Sequence, residues 1–274
     1  MNGKLYLVAT PIGNLEDITF RALRILKEVD IIAAEDTRNT LKLLNHFEIS
    51  KKLISYHRHN EDIKKDELIS LLKEGKNIAI TSDAGTPCIS DPGAEIVKEA
   101  IKNDIEIIPI PGACALINAL IASGLDSKEF IFIGFLPLNK KSRKEKLDYI
   151  EEETKTLILY EAPHKLKTTL EDLSKITKNR QIVLAKEITK IHEKYIRGTA
   201  EELLGSSEEL KGEYVVIIEG NSEVVDNKEN ILIALPLEEH YKYYENLGLD
   251  KKDIIKRIAK DRNVSKNEIY KYFI

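Results

Sequence analysis

Glu35-Asp36-Thr37-Arg38 sets two carboxylates and a guanidinium between an apolar run and a helical pattern. Acidic groups at a helix N-terminus stay ionised, so Asp36 or Glu35 can serve as a general base and Arg38 as a phosphate contact. The plainer alternative is that Asp36 or Thr37 only caps a helix over Thr37 to Phe47. A second polar group, Tyr56-His57-Arg58-His59-Asn60-Glu61, follows Leu53-Ile54-Ser55. Histidine is a residue type that can take a proton in catalysis, so His57 is a candidate base, Arg58 can hold phosphate, and His57 and Asn60 read as residues of a substrate loop. A His-x-His pair can also bind metal, but no complementary ligand spacing accompanies it, so no metal is expected. Lys186-Glu187 with Glu193 forms a third group, in which Lys186 reads as a salt-bridge or substrate-positioning residue. Lys140-Lys141-Ser142-Arg143-Lys144-Glu145-Lys146 carries net +4 in seven residues. Such a run is either a solvated helix face or a phosphate-tracking surface.

These groups need a frame. Apolar, β-branched runs recur at Lys4 to Ala9, Val29 to Ala34, Asn77 to Thr81 and Ile105 to Ile110, separated by segments of helical period. That alternation predicts a largely parallel sheet flanked by helices. Helices are expected from about Asp17 to Glu28, from about Asp62 to Lys73, and after Asp91-Pro92, with Asp91 as N-cap and Pro92 in the first turn. Strand patterns continue at Phe130 to Phe135, Thr156 to Tyr160, Gln181 to Lys186, Lys194 to Arg197 and Tyr214 to Glu219. Their closer spacing predicts a second α/β unit with some antiparallel pairing. Pro109, Pro111 and Gly112 offer a hinge, so the expected units are residues 1–111 and 112–235.

Beyond Pro236 the character changes. Residues 250–274 hold eight Lys or Arg against four Asp or Glu, a net +4 that leaves −8 for the rest of a chain of net charge −4. Two short helical patterns, Lys251 to Lys260 and Lys266 to Phe273, with Ser265 as N-cap, resemble half of a helix-turn-helix, with Lys256 and Arg257 on its basic side. A solvated hairpin closing the core is the alternative for this module, residues 236–274.

The composition, 32% charged and 42% hydrophobic, disfavours a disordered or fibrous chain. No stretch approaches the ~20 apolar residues of a membrane span, and the apolar start is too short for a signal peptide. Cys88 and Cys114 form no CxxC pair, so a reducing, cytoplasmic setting is expected and a cysteine zinc cluster is excluded. GxGxxG, Walker, GxSxG and HExxH motifs are absent.

What remains are Gly, Pro and Asp turns at strand ends. Thr10-Pro11-Ile12-Gly13-Asn14, Ser82-Asp83-Ala84-Gly85-Thr86-Pro87 and Pro109-Ile110-Pro111-Gly112-Ala113 each follow a strand pattern, where parallel sheets bind ligands. Small residues let the backbone approach a ligand closely, and Asp83 can accept hydrogen bonds. Taken with Ala34-Glu35-Asp36-Thr37-Arg38, Phe132-Ile133-Gly134-Phe135-Leu136-Pro137 and Tyr160-Glu161-Ala162-Pro163-His164, these turns make the chain resemble the tetrapyrrole methylase superfamily. Within it, the match is to the branch that methylates the ribose 2′-oxygen of a cytidine in small-subunit (16S) ribosomal RNA. The likeness spans about residues 4–220, and the basic tail matches that branch's small helical domain.

The resemblance implies a two-domain α/β fold that is not Rossmann-like, S-adenosylmethionine in the cleft between the domains, and a homodimer. Carried over motif by motif, it implies that Pro11, Asp83, Ala84, Gly85, Ala113 and Cys114 face the cofactor from the first side. Tyr160, Glu161, Ala185, Tyr214 and Val215 would face it from the second. Glu35, Asp36 and His57 become the candidates for catalysis of an in-line methyl displacement, a reaction in which alignment supplies much of the acceleration. Arg38, Arg58, Asn60, Lys140, Lys141, Arg143, Lys144, His164, Lys165, Lys256 and Arg257 become the candidate RNA contacts. No membrane partner is expected.

Overall fold

The computed structural model describes residues 2–206, 212–223 and 232–273. Its first layer is a sheet of five parallel strands, β1 (Leu5–Val8), β2 (Ile31–Ala34), β3 (Lys52–Ser55), β4 (Ile78–Thr81) and β5 (Ile107–Ile110), in the order β3-β2-β4-β1-β5. Helices α1 (Phe20–Glu28), α2 (Thr37–His46), α3 (Glu61–Lys73) and α4 (Ala94–Lys102) make the crossovers. Because strand side chains alternate between faces, Ile31, Ala33, Ile78 and Ile80 pack with Leu68, Leu72 and Ile96 on one side. Ile32 and Ala79 pack with Ala22, Leu26 and Leu44 on the other. Each fully buried Leu or Ile of these layers contributes roughly 1.5–3 kcal/mol.

Three local departures from the sequence expectation have physical causes. β3 is a short edge strand with only Ile54 buried, so its apolar signal is weak. The first helix starts at Phe20, capped by Thr19, because Asn14 first caps a separate 3-10 turn at Leu15–Asp17. Asp91 does not cap the third helix: Gly93, at φ +131°, is the N-cap of α4, and Asp91 is left in the preceding loop.

After β5 the chain crosses through Pro111 and Gly112, and α5 (Ala115–Ser123) packs on a second sheet. That sheet contains β6 (Phe130–Gly134), β7 (Thr156–Glu161), β8 (Ile182–Lys186), β9 (Lys194–Gly198) and β10 (Tyr214–Ile218), ordered β6-β7-β10-β8-β9. Only β6 and β7 are parallel; the other neighbours run antiparallel. Val215 and Ile217 face α5, while Val216 and Ile218 face α6 (Lys140–Glu152), α7 (Pro163–Thr177) and α8 (Ala200–Gly205).

The tail folds as three helices, α9 (Leu237–Asn246), α10 (Lys251–Asp261) and α11 (Lys266–Tyr272), around its own apolar cluster of Tyr244, Ile254, Ile255, Ile258 and Ile269. Ser265 caps α11 through the Glu268 N–H. His240 is fully buried here. Its Nδ1 lies 3.2 Å from Arg262 Nε, a donor, so the ring proton sits on Nε2 and faces Asp261 Oδ2 at 3.2 Å; Tyr244 donates to the same oxygen at 2.6 Å. Burial lowers the His240 pKa, with Arg262 adding to the effect. A histidine whose folded pKa lies below its unfolded value gives stability that is complete above the unfolded pKa of about 6.5 and is lost as pH falls. Amide exchange across residues 237–273 is therefore expected to speed up between pH 7 and 5, and His240→Gln is expected to remove that dependence.

Candidate active site

The loops that leave the carboxyl ends of the first sheet meet the second sheet at one cavity. β1 and β4 are neighbours, so their following loops lie side by side. Thr10 and Gly85 exchange backbone hydrogen bonds there, N to O, at 2.8 and 3.1 Å. Gly85 sits at φ +83°, and a Cβ on it would come within 3.0 Å of Ile12 Cγ2. Thr86 Oγ1 donates to Ala113 O at 3.0 Å, fastening this loop to the crossover segment. Farther along, Cys88 and Ser90 also adopt positive φ, of 70° and 64°. That contorted stretch is tied to the loop after β3, for Arg58 donates to Ser90 O and Glu61 Oε1 accepts from Gly93 N at 2.8 Å.

The cavity has a volume of about 390 Å³, within the range of small-molecule sites. Ile12, Ala84, Gly85, Ile89, Asp91 and Cys114 line it from the first side. Phe135, Tyr160, Glu161, Ala185, Ile188, Glu213, Tyr214 and Val215 line it from the second. The rings of Phe132 and Phe135 meet Tyr160 edge-on at 4.9 and 5.8 Å. Glu161 is buried and satisfied: Oε2 accepts from Thr169 Oγ1 at 2.6 Å and Oε1 from Ala162 N at 2.9 Å. Tyr214 Oη is buried with no hydrogen-bond partner among the described residues, which leaves a donor for a ligand at the second wall.

Eight of the residues expected at a cofactor line this cavity: Ala84, Gly85, Cys114, Tyr160, Glu161, Ala185, Tyr214 and Val215. Three do not. Pro11 precedes the lining residue Ile12, and Ala113 opens instead on an adjoining cavity of about 490 Å³, shared with Ile12 and Ile188. Asp83 acts as a brace, its carboxylate accepting from Asp36 N at 3.1 Å and from Asn39 Nδ2 at 3.2 Å. It thereby holds the loop after β2 against the loop after β4.

The acid–base candidates also fall into distinct places, and none of Glu35, Asp36 and His57 lines the cavity. Asp36 caps α2 by accepting from Arg38 N at 2.8 Å and pairs with the Arg38 guanidinium at 2.6 Å, which holds its carboxyl down at about 2. An anion that stable is a poor proton acceptor, so the capping alternative accounts for Asp36. Glu35 is raised above the ordinary carboxylate value, chiefly by burial and further by Asp83. His57 is half-buried, with Nδ1 lacking a partner among the described residues. Asn60 shapes its turn, accepting from His57 N at 2.8 Å and donating to Ser55 O at 3.1 Å.

Sequence reasoning passed over Asp91 as a cap. It lines the cavity, and its carboxyl is pushed up to about 6 by burial and by the nearby Glu35 charge, against the pull of a Ser82 hydrogen bond and of Arg58. The Asp-Pro-Gly turn before α4 was the available signal. Ile12, Phe135 and Ile188 line the cavity too, and as apolar loop residues they gave no sign beyond lying in or near the motifs.

Outside the cavity, Lys140, Lys141 and Lys144 are exposed on α6 and His164 on the first turn of α7, where Lys165 is half-exposed. Arg143 turns inward, binding Asp172 Oδ2 at 2.8 Å and Thr169 Oγ1 at 3.0 Å. Lys256 and Arg257 are exposed on α10, Arg257 also bonding Tyr244. In the loop after β8, Glu187 Oε1 accepts from Glu213 N at 2.7 Å and pairs with Lys190, and Glu193 accepts from Thr189 N at 2.6 Å. Both carboxylates are used in building that loop.

Comparison with known proteins bears on the family of the chain. A protein of Halalkalibacterium halodurans named Ribosomal RNA small subunit methyltransferase I is 52% identical over 99% of this chain and 94% of its own length. A Bacillus subtilis protein of the same name is 48% identical over 98% and 93%. The crystal structure of a uroporphyrin-III C-methyltransferase from Thermus thermophilus, complexed with S-adenosylhomocysteine, superposes with a TM-score of 0.57 at 17% identity, covering 82% of this chain and 99% of that one. The family profile of the Tetrapyrrole (Corrin/Porphyrin) Methylases matches residues 4–204, from β1 into α8 and short of β10, and the chain belongs to that family.

Proposed function

We propose that the protein is a cytoplasmic S-adenosylmethionine-dependent methyltransferase that methylates the ribose 2′-oxygen of a cytidine in 16S ribosomal RNA of the small subunit. The observation that carries the reading is the extent of the likeness. The family profile ends at residue 204, whereas the relatives named as ribosomal RNA methyltransferases match nearly the whole chain, its three-helix basic tail included. A porphyrinoid substrate would leave that tail and the α6 lysines without a role.

The cavity suits the cofactor in size and chemistry. Apolar side chains supply stacking surface, Tyr214 Oη supplies an unused hydrogen-bonding group, and Asp91, Glu161 and Glu213 give the walls a negative character that favours a sulfonium cation. When bound, the cofactor supplies an activated methyl group on a sulfur that leaves readily. The protein's task is then alignment and exclusion of water, worth about 7–11 kcal/mol in well-oriented reactions. In this reading the working units are residues 1–111, 112–235 and 236–274. Lys140, Lys141 and Lys144 track phosphate on one side, while Lys256 and Arg257 do so on the tail. Arg38, Arg58, His164 and Lys165 border the loops between. A homodimer fits the exposure of Ile117 and Ile121 on α5, the latter 71% accessible.

Incubation with labelled cofactor and small subunits lacking the modification, followed by mass mapping, is expected to place the label on the 2′-oxygen of one cytidine. Label on a porphyrinoid, or no transfer to RNA, contradicts the reading. A Lys140→Glu/Lys141→Glu/Lys144→Glu variant is expected to raise KM for the subunit and leave cofactor affinity unchanged. Its salt dependence of binding should flatten by about 0.7 in log–log slope for each phosphate that these side chains no longer neutralise.

A further inference from the structure

Asp91 lines the cavity from the side of the first sheet, across from the wall that carries Tyr160 and Tyr214. The residue belongs to the loop after β4, at the cavity edge, with Ser90 on one side and the Pro92-Gly93 turn on the other. Its position is fixed from outside: Arg58 binds Ser90 O, and Glu61 binds Gly93 N while also accepting from Tyr56 Oη at 3.0 Å. The groups facing the carboxyl are the Ser82 hydroxyl and Asp83 from the end of β4, Glu35 from the end of β2, Arg58 from the loop after β3, Tyr160 from β7, and Cys88 of its own loop. Asp91 thus touches the field of the substrate-side loops and that of the far cavity wall.

We propose that Asp91 is the general base of the methyl transfer, receiving the proton of the ribose 2′-hydroxyl while that oxygen bonds the methyl carbon. The assignment rests on the methyltransferase reading above. The other carboxylates lining the cavity among the described residues are committed elsewhere. Both oxygens of Glu161 are already accepting, and Glu213 is exposed and bound to Lys190 at 2.8 Å. Asp36 is tied to Arg38, and Glu35 and His57 stand outside the cavity. Asp91 is half-buried and has no cation paired to it within salt-bridge distance among the described residues.

In the step, the O–C bond forms as the C–S bond breaks. The electron pair of the broken bond stays on sulfur, cancelling its positive charge, and the hydroxyl proton ends on the Asp91 carboxylate. Bond formation makes the attacking oxygen positive and its proton strongly acidic, so a carboxylate titrating near 6 is basic enough and is ionised at neutral pH. Glu35 contributes as a positioning residue, since its charge raises the proton affinity of Asp91.

The test is single-turnover methyl transfer to unmodified small subunits across pH 5–9, with S-adenosylmethionine binding measured in parallel by calorimetry. The wild-type rate is expected to rise with pH through about 6 and then level off, because the base must be deprotonated. Asp91→Asn is expected to lose about 10²–10⁴ in rate together with the acid limb, with a fall in cofactor affinity far smaller than the fall in rate. Glu35→Gln is expected to move the acid limb to lower pH, a shift that a purely structural residue would not cause. An Asp91→Asn enzyme that keeps the wild-type rate and acid limb overturns the proposal. So does one whose loss of rate is matched by loss of cofactor binding. Failure of the wild type to label ribose at all is a separate result, which removes the functional reading and this assignment with it.

Discussion

Two backbone hydrogen bonds, exchanged between Thr10 and Gly85, hold together the loops that leave the central strands β1 and β4. Parallel neighbours end on the same side of a sheet, and without such a link their loops would be free to splay. With it, Ile12 is set beside Gly85 at the cavity wall, and the segment from Thr86 to Gly93 is carried over the cavity edge. The remaining ties extend this clasp. Thr86 reaches the crossover at Ala113, Asp83 reaches the start of α2, and Arg58 and Glu61 reach Ser90 and Gly93. Each crosslinks a different loop to the one after β4, so five strand ends behave as a single surface.

Charge is divided in a way that suits a cationic methyl donor and a polyanionic acceptor. Acidic groups lie inside and just behind the cavity, where burial raises Glu35 and Asp91 above their ordinary values. Basic side chains lie outside it, on α6 and α10, within a chain of net charge −4. For the RNA substrate proposed above, local clustering matters more than the overall sign, because contact with phosphate is short-ranged at physiological salt.

Much of the frame was legible because strand patterns of β-branched residues survive in both sheets, and the mixed pairing of the second followed from its shorter connections. The edge strand β3 was not, since Lys52-Leu53-Ile54-Ser55 is half solvent-facing and carries one buried side chain. At the cavity, Ala84, Gly85, Tyr160, Glu161, Tyr214 and Val215 stood in motifs that mark strand ends, and they line it. Asp91 was hidden by a local rule that ordinarily works: Asp before Pro reads as a helix cap. Left-handed turns at Cys88 and Ser90 and the shift of the cap to Gly93 free its side chain for the cavity, and such backbone turns at non-glycine residues leave little trace in sequence. Arg143 and Asn60 show the opposite case, polar side chains that the fold itself engages. Their polar types suited RNA, but Asp172 and the turn at His57 claim them, and those long-range or local partners become visible only in the fold.

Calorimetric titration of S-adenosylmethionine into a Gly85→Val variant that keeps the wild-type circular dichroism spectrum tests the central claim, that the Thr10–Gly85 clasp builds the cofactor's cavity. A β-branched residue at φ +83° is strained and brings its Cβ to 3.0 Å from Ile12 Cγ2, so the clasp and the Ile12 wall are expected to shift. Binding weakened by at least about tenfold, equivalent to about 1.4 kcal/mol, is the outcome the structure predicts. Wild-type affinity in that variant would place the cofactor elsewhere and contradict the account.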